Sequence, residues 1–329
     1  MISGVSDMTN VVTHEFKNEP KLTRPSIRSL FETNEVTFLM EAHNGLSAKI
    51  AEEAGFKALW ASGLSISASL GVRDRNEVSW TQVMEVVEFM VDAVSVPVLM
   101  DGDTGFGDFN NVRRLVRKLG QRGIAGVCIE DKVFPKTNSF LGDDQPLASV
   151  EEFCGKIKAA KDSQFDDSFC VVARIEALIS GRSMEEALWR GEAYHAAGAD
   201  AILIHSKKTS ANEVLEFTSR WGNRSPVVIV PTMYHATPTE VFRKAGVAAV
   251  IWANHSLRAA ILAMQTVVNR IQSSESVYGI DSNIAPLEEI FRLTNVAELE
   301  MAEENYREPG GPTYFGVIYD QRKAVMRRD

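Results

Sequence analysis

Eight short apolar runs, each followed by an amphipathic segment, are the feature that most restricts the fold of this chain. The runs are rich in Val, Ile, Leu and Ala, as expected where helices cover both faces of a parallel sheet. They fall at residues 36–42, 58–61, 96–101, 125–130, 170–175, 201–205, 227–231 and 248–252. Helices are predicted at residues 47–54, 80–93, 112–122, 150–160, 184–197, 211–220, 239–245 and 256–271. Eight β-α units favour an α/β fold of the closed (β/α)8 TIM-barrel type, with an open doubly wound sheet as the alternative.

A weak internal repeat supports the count of eight units. At four places a glycine separates a predicted helix from the next strand: Gly55, Gly123, Gly198 and Gly246. Helices commonly end on a left-handed residue, and Gly adopts that conformation without a Cβ penalty. These positions are therefore predicted ends of helices.

The barrel leaves additional sequence at both ends. We expect residues 1–33 to form an N-terminal arm, in which Ser26 caps a short helix, and residues 34–275 to form the catalytic barrel. Residues 276–329 are predicted to be a C-terminal helical extension, helical over residues 286–304, that serves assembly or covers the barrel.

Composition and charge argue against several classes of protein. The net charge of −9 argues against a nucleic-acid partner, because phosphate contacts need clustered Lys and Arg. The longest apolar stretch, residues 94–100, is far shorter than the ~18 residues of a membrane helix, so no membrane partner is expected. The first residues lack the apolar core of a secretory signal, and Cys128, Cys154 and Cys170 form neither a disulfide framework nor a metal motif. A reducing cytoplasm is the expected location.

Polar side chains follow the C-terminal ends of the predicted strands, where barrel enzymes carry their active sites. Asp101, Asp103 and Glu130 follow the third and fourth strands, and Asp74 lies in the loop after the second. Mg²⁺ prefers oxygen ligands and keeps several waters, so one direct carboxylate and others acting through water would suffice. The sequence predicts a Mg²⁺ site, with Mn²⁺ as the other candidate. The alternative is that these acids cap helices or pair with Arg and Lys.

Two glycine-containing segments near the strand ends are candidate anion sites. In Ser62-Gly63-Leu64 the backbone N–H groups can face a carboxylate, although an ordinary turn fits the same spacing. Residues 102–107 are rich in Gly, but their spacing matches neither a dinucleotide-binding motif nor a P-loop. We interpret this second segment as a flexible turn.

The most specific motif is Glu130-Asp131-Lys132, followed after five residues by Asn138-Ser139. It resembles the signature of the phosphoenolpyruvate mutases, within the phosphoenolpyruvate mutase/isocitrate lyase superfamily. The resemblance extends to residues 60–65, 70–74, 101–105 and 173–176 and covers most of the stretch 33–275. It implies interconversion of phosphoenolpyruvate and phosphonopyruvate, which makes or breaks a C–P bond in phosphonate biosynthesis.

The resemblance also implies roles for individual residues. Mg²⁺ would be held directly by Asp101 and through water by Asp74, Asp103 and Glu130. The substrate carboxylate would bind Ser62 and the backbone of Gly63 and Leu64, beside Trp60. The phosphoryl group would be surrounded by Asn138, Arg174 and His205. The catalytic residues would be Asp74, Lys136, Asn138, Ser139, Arg174 and His205, with Lys136, Asn138 and Ser139 on a gating loop.

The same resemblance implies an assembly and a metabolic partner. The eighth helix, residues 256–271, would be exchanged between subunits of a dimer of dimers, which is a homotetramer. Because the phosphate ester is favoured over the phosphonate, a phosphonopyruvate decarboxylase would be needed to draw the reaction forward.

The substrate itself places demands on the site. Phosphoenolpyruvate is highly anionic, so uncompensated carboxylates would repel it, whereas Mg²⁺ with Lys136 and Arg174 reverses the local charge. Phosphoryl transfer passes largely through a loose, metaphosphate-like state, which would react readily with water. The loop of residues 131–141 must therefore close and keep the site dry.

Three other functions remain as alternatives. A phosphonopyruvate hydrolase uses a similar barrel but lets water intercept the phosphoryl group, and Asn138-Ser139 favours the mutase over it. The isocitrate and methylisocitrate lyases carry a catalytic Cys in the corresponding loop, which here contains none, so a C–C lyase or decarboxylase is disfavoured. A noncatalytic anion-binding barrel would tolerate missing catalytic groups, yet every expected group is present.

Overall fold

All eight strands of the protein are parallel and close into one barrel in chain order. The computed structural model describes residues 24–142 and 145–306. The strands are β1 (Thr37–Ala42), β2 (Ala58–Ala61), β3 (Val98–Asp101), β4 (Gly126–Glu130), β5 (Cys170–Ile175), β6 (Ala201–Ile204), β7 (Val227–Ile229) and β8 (Ala249–Trp252). The ring closes where β1 pairs with β8, with Thr37 opposite Ala249. The predicted (β/α)8 barrel is confirmed, and the open sheet is wrong.

Helices follow every strand and surround the barrel. They are α1 (Ile27–Phe31), α2 (Gly45–Glu53), α3 (Gly63–Ser69), α4 (Trp80–Ala93), α5 (Phe109–Gln121), α6 (Val150–Lys161), α7 (Met184–Ala196), α8 (Asn212–Trp221), α9 (Thr239–Lys244), α10 (His255–Ser274), α11 (Leu287–Leu293) and α12 (Val296–Tyr306). All four repeat glycines have positive φ, from 71° at Gly123 to 106° at Gly198, which confirms them as helix ends. No helix in the described part of the chain is long and apolar enough to cross a membrane.

The core has two layers, because successive side chains of a strand point to opposite faces. One face of each strand packs against the surrounding helices, as Val127 and Ile129 of β4 do. The other face fills the barrel interior, where Cys128 is a small buried side chain. Ile27 and Phe31 of α1 belong to this interior cluster, so α1 covers the N-terminal end of the barrel. The active site is left to the opposite end.

Three local expectations differ from the structure. Ser26 occupies the N-cap position of α1 but makes no capping bond, because its hydroxyl donates to the carbonyl of Ser168 at 3.0 Å. The helix expected over residues 286–304 is two helices, since Asn295 adopts a left-handed φ of 56° and interrupts it. Helix α3 was not predicted. The N-terminal arm before residue 24 and the C-terminal extension after residue 306 lie outside the described residues.

Candidate active site

The predicted site residues meet at the C-terminal end of the barrel, around a cavity of about 60 Å³. Gly63 and Asp103 do not line the cavity, but each donates its backbone N–H to Asp101, which does. The lining of the cavity includes the predicted residues Trp60, Ser62, Leu64, Asp74, Asp101, Glu130, Lys136, Asn138, Ser139, Arg174 and His205. These residues come from strands β2 to β5, from the start of α3, from the loops after α3 and β4, and from the end of β6, and only closure of the barrel brings them together.

The carboxylates form one buried group with Lys136. Its ammonium lies 2.7 Å from Asp74 Oδ1 and 2.5 Å from Asp103 Oδ1. Burial, and then the neighbouring carboxylates, raise the pKa of Asp103 to about 7, and Lys136 opposes this only in part. Burial also raises the pKa of Glu130. At Asp74 the effect of burial is overcome by Lys136, so the pKa of its carboxyl is lowered.

This group fits a divalent cation bound largely through water. Glu130 Oε1 is buried and has no hydrogen-bond partner among the described residues. Asp101 accepts backbone N–H groups from Gly63 and from Asp103, both at 3.3 Å, which holds its carboxylate at the strand end. In the described chain no three His, Cys, Asp or Glu side chains converge as a complete ligand set. Mg²⁺ usually keeps several waters and takes few protein ligands.

The gating loop, residues 131–141, lies closed over the cavity. Asn138 Nδ2 donates to Asp74 Oδ2 at 2.7 Å, and the backbone N–H of Lys136 donates to Asn76 Oδ1 at 2.8 Å. The ring of Phe140 meets the His205 ring edge-on at 5.9 Å between centroids. The loop is therefore fastened both to the segment after β2 and to the end of β6.

Ser62, Gly63 and Leu64 begin helix α3, directly after β2. Ser62 Oγ accepts the N–H of Ser65 at 3.2 Å and so caps the helix. A Cβ on Gly63 would lie 3.1 Å from Asp101 Oδ2, a tight contact that the carboxylate could relieve only by shifting. The segment was predicted as either an anion site or an ordinary turn, and it is a helix start whose N–H groups favour negative charge.

Arg174 and His205 form the opposite wall, and Glu176 orients both. Arg174 Nε donates to Glu176 Oε1 at 2.5 Å, and His205 Nδ1 lies 2.7 Å from the same oxygen. Although burial would raise it, the pKa of Glu176 is held well below its usual range, first by Arg174 and then by His205. Nδ1 of His205 also lies 2.9 Å from Arg174 Nη2, which can only donate, so the contacts with Glu176 and with Arg174 favour opposite tautomers of the ring. Burial and Arg174 lower the pKa of His205, so its ring is neutral at pH 7.

Sequence reasoning missed several residues of the site. Asn76 bridges Asp103 and the gating loop, and its Nδ2 donates to Asp103 Oδ2 at 2.7 Å. Glu176 lies in the segment 173–176 that carries the resemblance, but it was given no role there, whereas Asn76 carries no such signal. Further residues that line the cavity are Thr137, Phe140, Val230, Thr232, Ala253 and Asn254.

Comparison with known proteins agrees with this geometry. The sequence profile of the family described as phosphoenolpyruvate phosphomutase matches residues 27–272. The chain belongs to this family. It is 54% identical over 300 residues to the phosphoenolpyruvate phosphomutase of Tetrahymena pyriformis, an alignment that covers 91% of this chain and 99% of that protein. The resemblance stated from the sequence is therefore confirmed.

Two solved structures are close in fold. The phosphoenolpyruvate phosphomutase of Streptomyces platensis subsp. rosaceus superposes with a TM-score of 0.84 at 48% identity, covering 85% of this chain and 98% of that one. A phosphonopyruvate hydrolase in complex with oxalate and Mg²⁺ superposes with a TM-score of 0.81 at 38% identity, with the same coverage. Enzymes of this superfamily depend on a divalent metal ion.

Proposed function

We propose that the protein is an isomerase that interconverts phosphoenolpyruvate and phosphonopyruvate. The observation that carries this proposal is the closed loop, which holds Asn138 over a cavity walled by Arg174 and His205 on one side and by carboxylates on the other. Its relatives named phosphoenolpyruvate phosphomutase, at 54% and 48% identity, support it over the hydrolase at 38%.

The metal site is proposed to hold Mg²⁺, with Mn²⁺ as the other candidate. Asp101 would bind the ion directly and Asp74, Asp103 and Glu130 through water, and the ion would supply Lewis-acid stabilisation of negative charge on the pyruvyl oxygen. The unpartnered Glu130 Oε1 and the raised pKa values of Asp103 and Glu130 support this assignment.

The chain's own residues are proposed to bind the substrate at its two ends. Ser62 and the N–H groups of Gly63 and Leu64 take the carboxylate, for which the Gly63 N–H turns from Asp101 Oδ2, its acceptor at 3.3 Å in this structure. Trp60 packs beside the pyruvyl group. Arg174, His205 and Asn138 surround the phosphoryl group and stabilise its charge as the C–P or O–P bond breaks. Positioning matters more than a covalent nucleophile in this chemistry, because the transition state is loose.

Lys136 and Ser139 act with the gating loop. The Lys136 ammonium, 5% exposed as a residue, balances the charge of Asp74 and Asp103 when the loop is closed. Closure excludes water while the pyruvyl group turns its carbon toward phosphorus, which is the step that separates a mutase from a hydrolase.

The test is ³¹P NMR of the purified protein with Mg²⁺ and phosphonopyruvate, repeated with EDTA and with Asn138→Ala. We expect metal-dependent formation of phosphoenolpyruvate without matching inorganic phosphate, and loss of turnover in the variant. Inorganic phosphate and pyruvate from the outset would instead identify a hydrolase. If phosphonopyruvate stays unchanged, both activities are contradicted, and a lyase or a binding role becomes the favoured function.

Exchange of the eighth helix between subunits of a dimer of dimers is part of the proposal. Within the described chain, α10 buries only Leu257, whereas Leu262, Met264 and Val268 are exposed. A cleft of about 800 Å³ is lined by Phe38 of β1 and Trp252 of β8, both half-buried, and no residue of α10 lines it. Light scattering after gel filtration tests this, since Leu262→Asp should yield smaller species.

The metabolic setting follows from the same function. We propose a cytoplasmic enzyme whose product phosphonopyruvate is consumed by a decarboxylase, because the phosphate ester is otherwise favoured at equilibrium. Net conversion of phosphoenolpyruvate to phosphonopyruvate should then be measurable only when a decarboxylase is added to the assay.

A further inference from the structure

A buried ion pair with no role yet assigned in loop closure lies beneath the gating loop. Lys132 at the base of the loop is 2% exposed, and Glu176 after β5 is fully buried. Their charged atoms, Lys132 Nζ and Glu176 Oε2, are 3.0 Å apart. Neither side chain lines the cavity, so the pair does not contact the substrate directly.

The tip of the gating loop completes this pair. Ser139 Oγ donates to Glu176 Oε2 at 2.7 Å and accepts from Lys132 Nζ at 2.7 Å and from Arg174 Nη2 at 3.0 Å. Lys132 Nζ also donates to the carbonyl of Thr137 at 2.9 Å. We call Lys132, Ser139 and Glu176 the latch, because two of them are buried charges and the third is carried by the loop.

The base of the gating loop, at Asp131 beside Lys132, is held by Glu176 and by α7. The backbone N–H of Glu176 donates to Asp131 Oδ1 at 2.8 Å, and Tyr194 donates its hydroxyl hydrogen to Asp131 Oδ2 at 2.7 Å. Arg190 donates to the same Asp131 oxygen at 3.2 Å. With this base held, movement of residues 137–139 away from the cavity would take Ser139 and the Thr137 carbonyl from Lys132 and Glu176, and the ion pair itself would remain. Because buried charged groups that lose hydrogen-bond partners are costly, the bonds that Ser139 and the Thr137 carbonyl make to this pair favour the closed loop.

We propose that Lys132 and Glu176 are positioning residues that hold the gating loop closed through Ser139, and that this latch prevents hydrolysis during the isomerisation. The inference rests on the proposed function. In the side reaction, the C–P bond of phosphonopyruvate breaks and a water oxygen bonds to phosphorus. One water proton goes to the carbon released from phosphorus, and the products are pyruvate and inorganic phosphate.

The test measures how turnover divides between isomerisation and hydrolysis. Ser139→Ala and Lys132→Met are incubated with Mg²⁺ and phosphonopyruvate, and ³¹P NMR follows the ratio of inorganic phosphate to phosphoenolpyruvate. We expect this ratio to rise at least tenfold in both variants. Ser139→Thr, which keeps the hydroxyl, should return it toward the wild-type value.

The matched control is Ser163→Ala. Ser163 is also a buried serine, but it follows α6 and lies outside the loop and the cavity. Its ratio should equal that of the wild type. Ser139→Ala leaves the Lys132–Glu176 pair intact, so it keeps the test valid even where Lys132→Met fails to fold, which thermal melting of each variant reveals.

The outcomes separate the two proposals. If the wild type interconverts the two substrates and Ser139→Ala shows a phosphate ratio within twofold of wild type, the latch is wrong although the isomerase stands. If the wild type does not interconvert them, the proposed function is wrong. A rise in phosphate that Ser163→Ala shares would also overturn the latch, because it would reflect general loosening of the barrel.

Discussion

Replacing Asn138 by Asp is the sharpest perturbation of the proposed site. The change keeps the size of the side chain and leaves an oxygen to accept the N–H of Phe140, a bond now 3.0 Å long. It replaces the amide that donates to Asp74 Oδ2 with a second carboxylate. Since Lys136 holds the pKa of Asp74 low, Asp74 is ionised and the two carboxylates repel each other.

The magnitude follows from the distance. At an effective dielectric constant of about 20, two unit charges separated by the 2.7 Å between Asn138 Nδ2 and Asp74 Oδ2 repel by about 6 kcal/mol. Lys136 lies 2.7 Å from the other oxygen of Asp74 and offsets part of this energy. If half remains, about 3 kcal/mol disfavours the closed loop, which corresponds to more than about a hundredfold.

The assay is kcat for conversion of phosphonopyruvate to phosphoenolpyruvate, followed by ³¹P NMR at saturating Mg²⁺. We expect kcat to fall by at least about a hundredfold, since both loop closure and a donor to the phosphoryl group are lost. Leu141→Asp is the control, because it adds the same charge to the loop at a side chain that is 66% exposed. A kcat for Asn138→Asp within tenfold of that control would refute the reasoning.

Three further predictions concern stability, pH and metal. Gly102→Ala should lower the free energy of unfolding by about 1–3 kcal/mol in urea titrations, because its Cβ would lie 2.5 Å from Val127 Cγ2, whereas Gly155→Ala, with no such neighbour within 4 Å, should not destabilise. Burial lowers the pKa of His205, so the unfolded chain takes up its proton first as pH falls below about 6.5; the stability advantage of the wild type over His205→Gln should therefore be smaller at pH 5.5 than at pH 7.5, and an advantage that grows on acidification would contradict this. Mg²⁺ at a hundred times its Kd should stabilise the fold by about 2.7 kcal/mol in thermal melts, an effect that Asp101→Asn should abolish.

The alternation of eight strands and helices could be predicted because it depends on the periodic pattern of apolar residues. Strand cores such as Cys170–Ile175 are buried on both faces and read as continuous apolar runs. Helix α3 could not be predicted, because its serine-rich sequence has weak helix propensity and forms where Ser62 caps it after β2. The break at Asn295 depends on one residue with a left-handed backbone, which composition does not reveal.

Much of the site could be placed from the sequence, and the rest depends on tertiary contacts. Glu130 and Arg174 were expected together because they end adjacent strands, and the register places them opposite each other. The contact of Asn138 with Asp74 joins residues that are 64 positions apart, and no local pattern encodes it. The roles of these residues stay predictions until the variants are measured.

The charges around the cavity explain how an acidic chain can take an acidic substrate. Three buried cations, Lys132, Lys136 and Arg174, face the carboxylates of Asp74, Asp101, Asp103, Glu130 and Glu176, which leaves a deficit of two positive charges. Burial raises the pKa values of Asp103 and Glu130, and at Asp103 the neighbouring carboxylates raise it further. A divalent cation matches the deficit in sign and in size. Binding of the metal would therefore neutralise the mouth of the barrel before the anionic substrate arrives. The overall charge of −9 need not repel the substrate, because exposed charges farther away than about 8–10 Å are largely screened by salt.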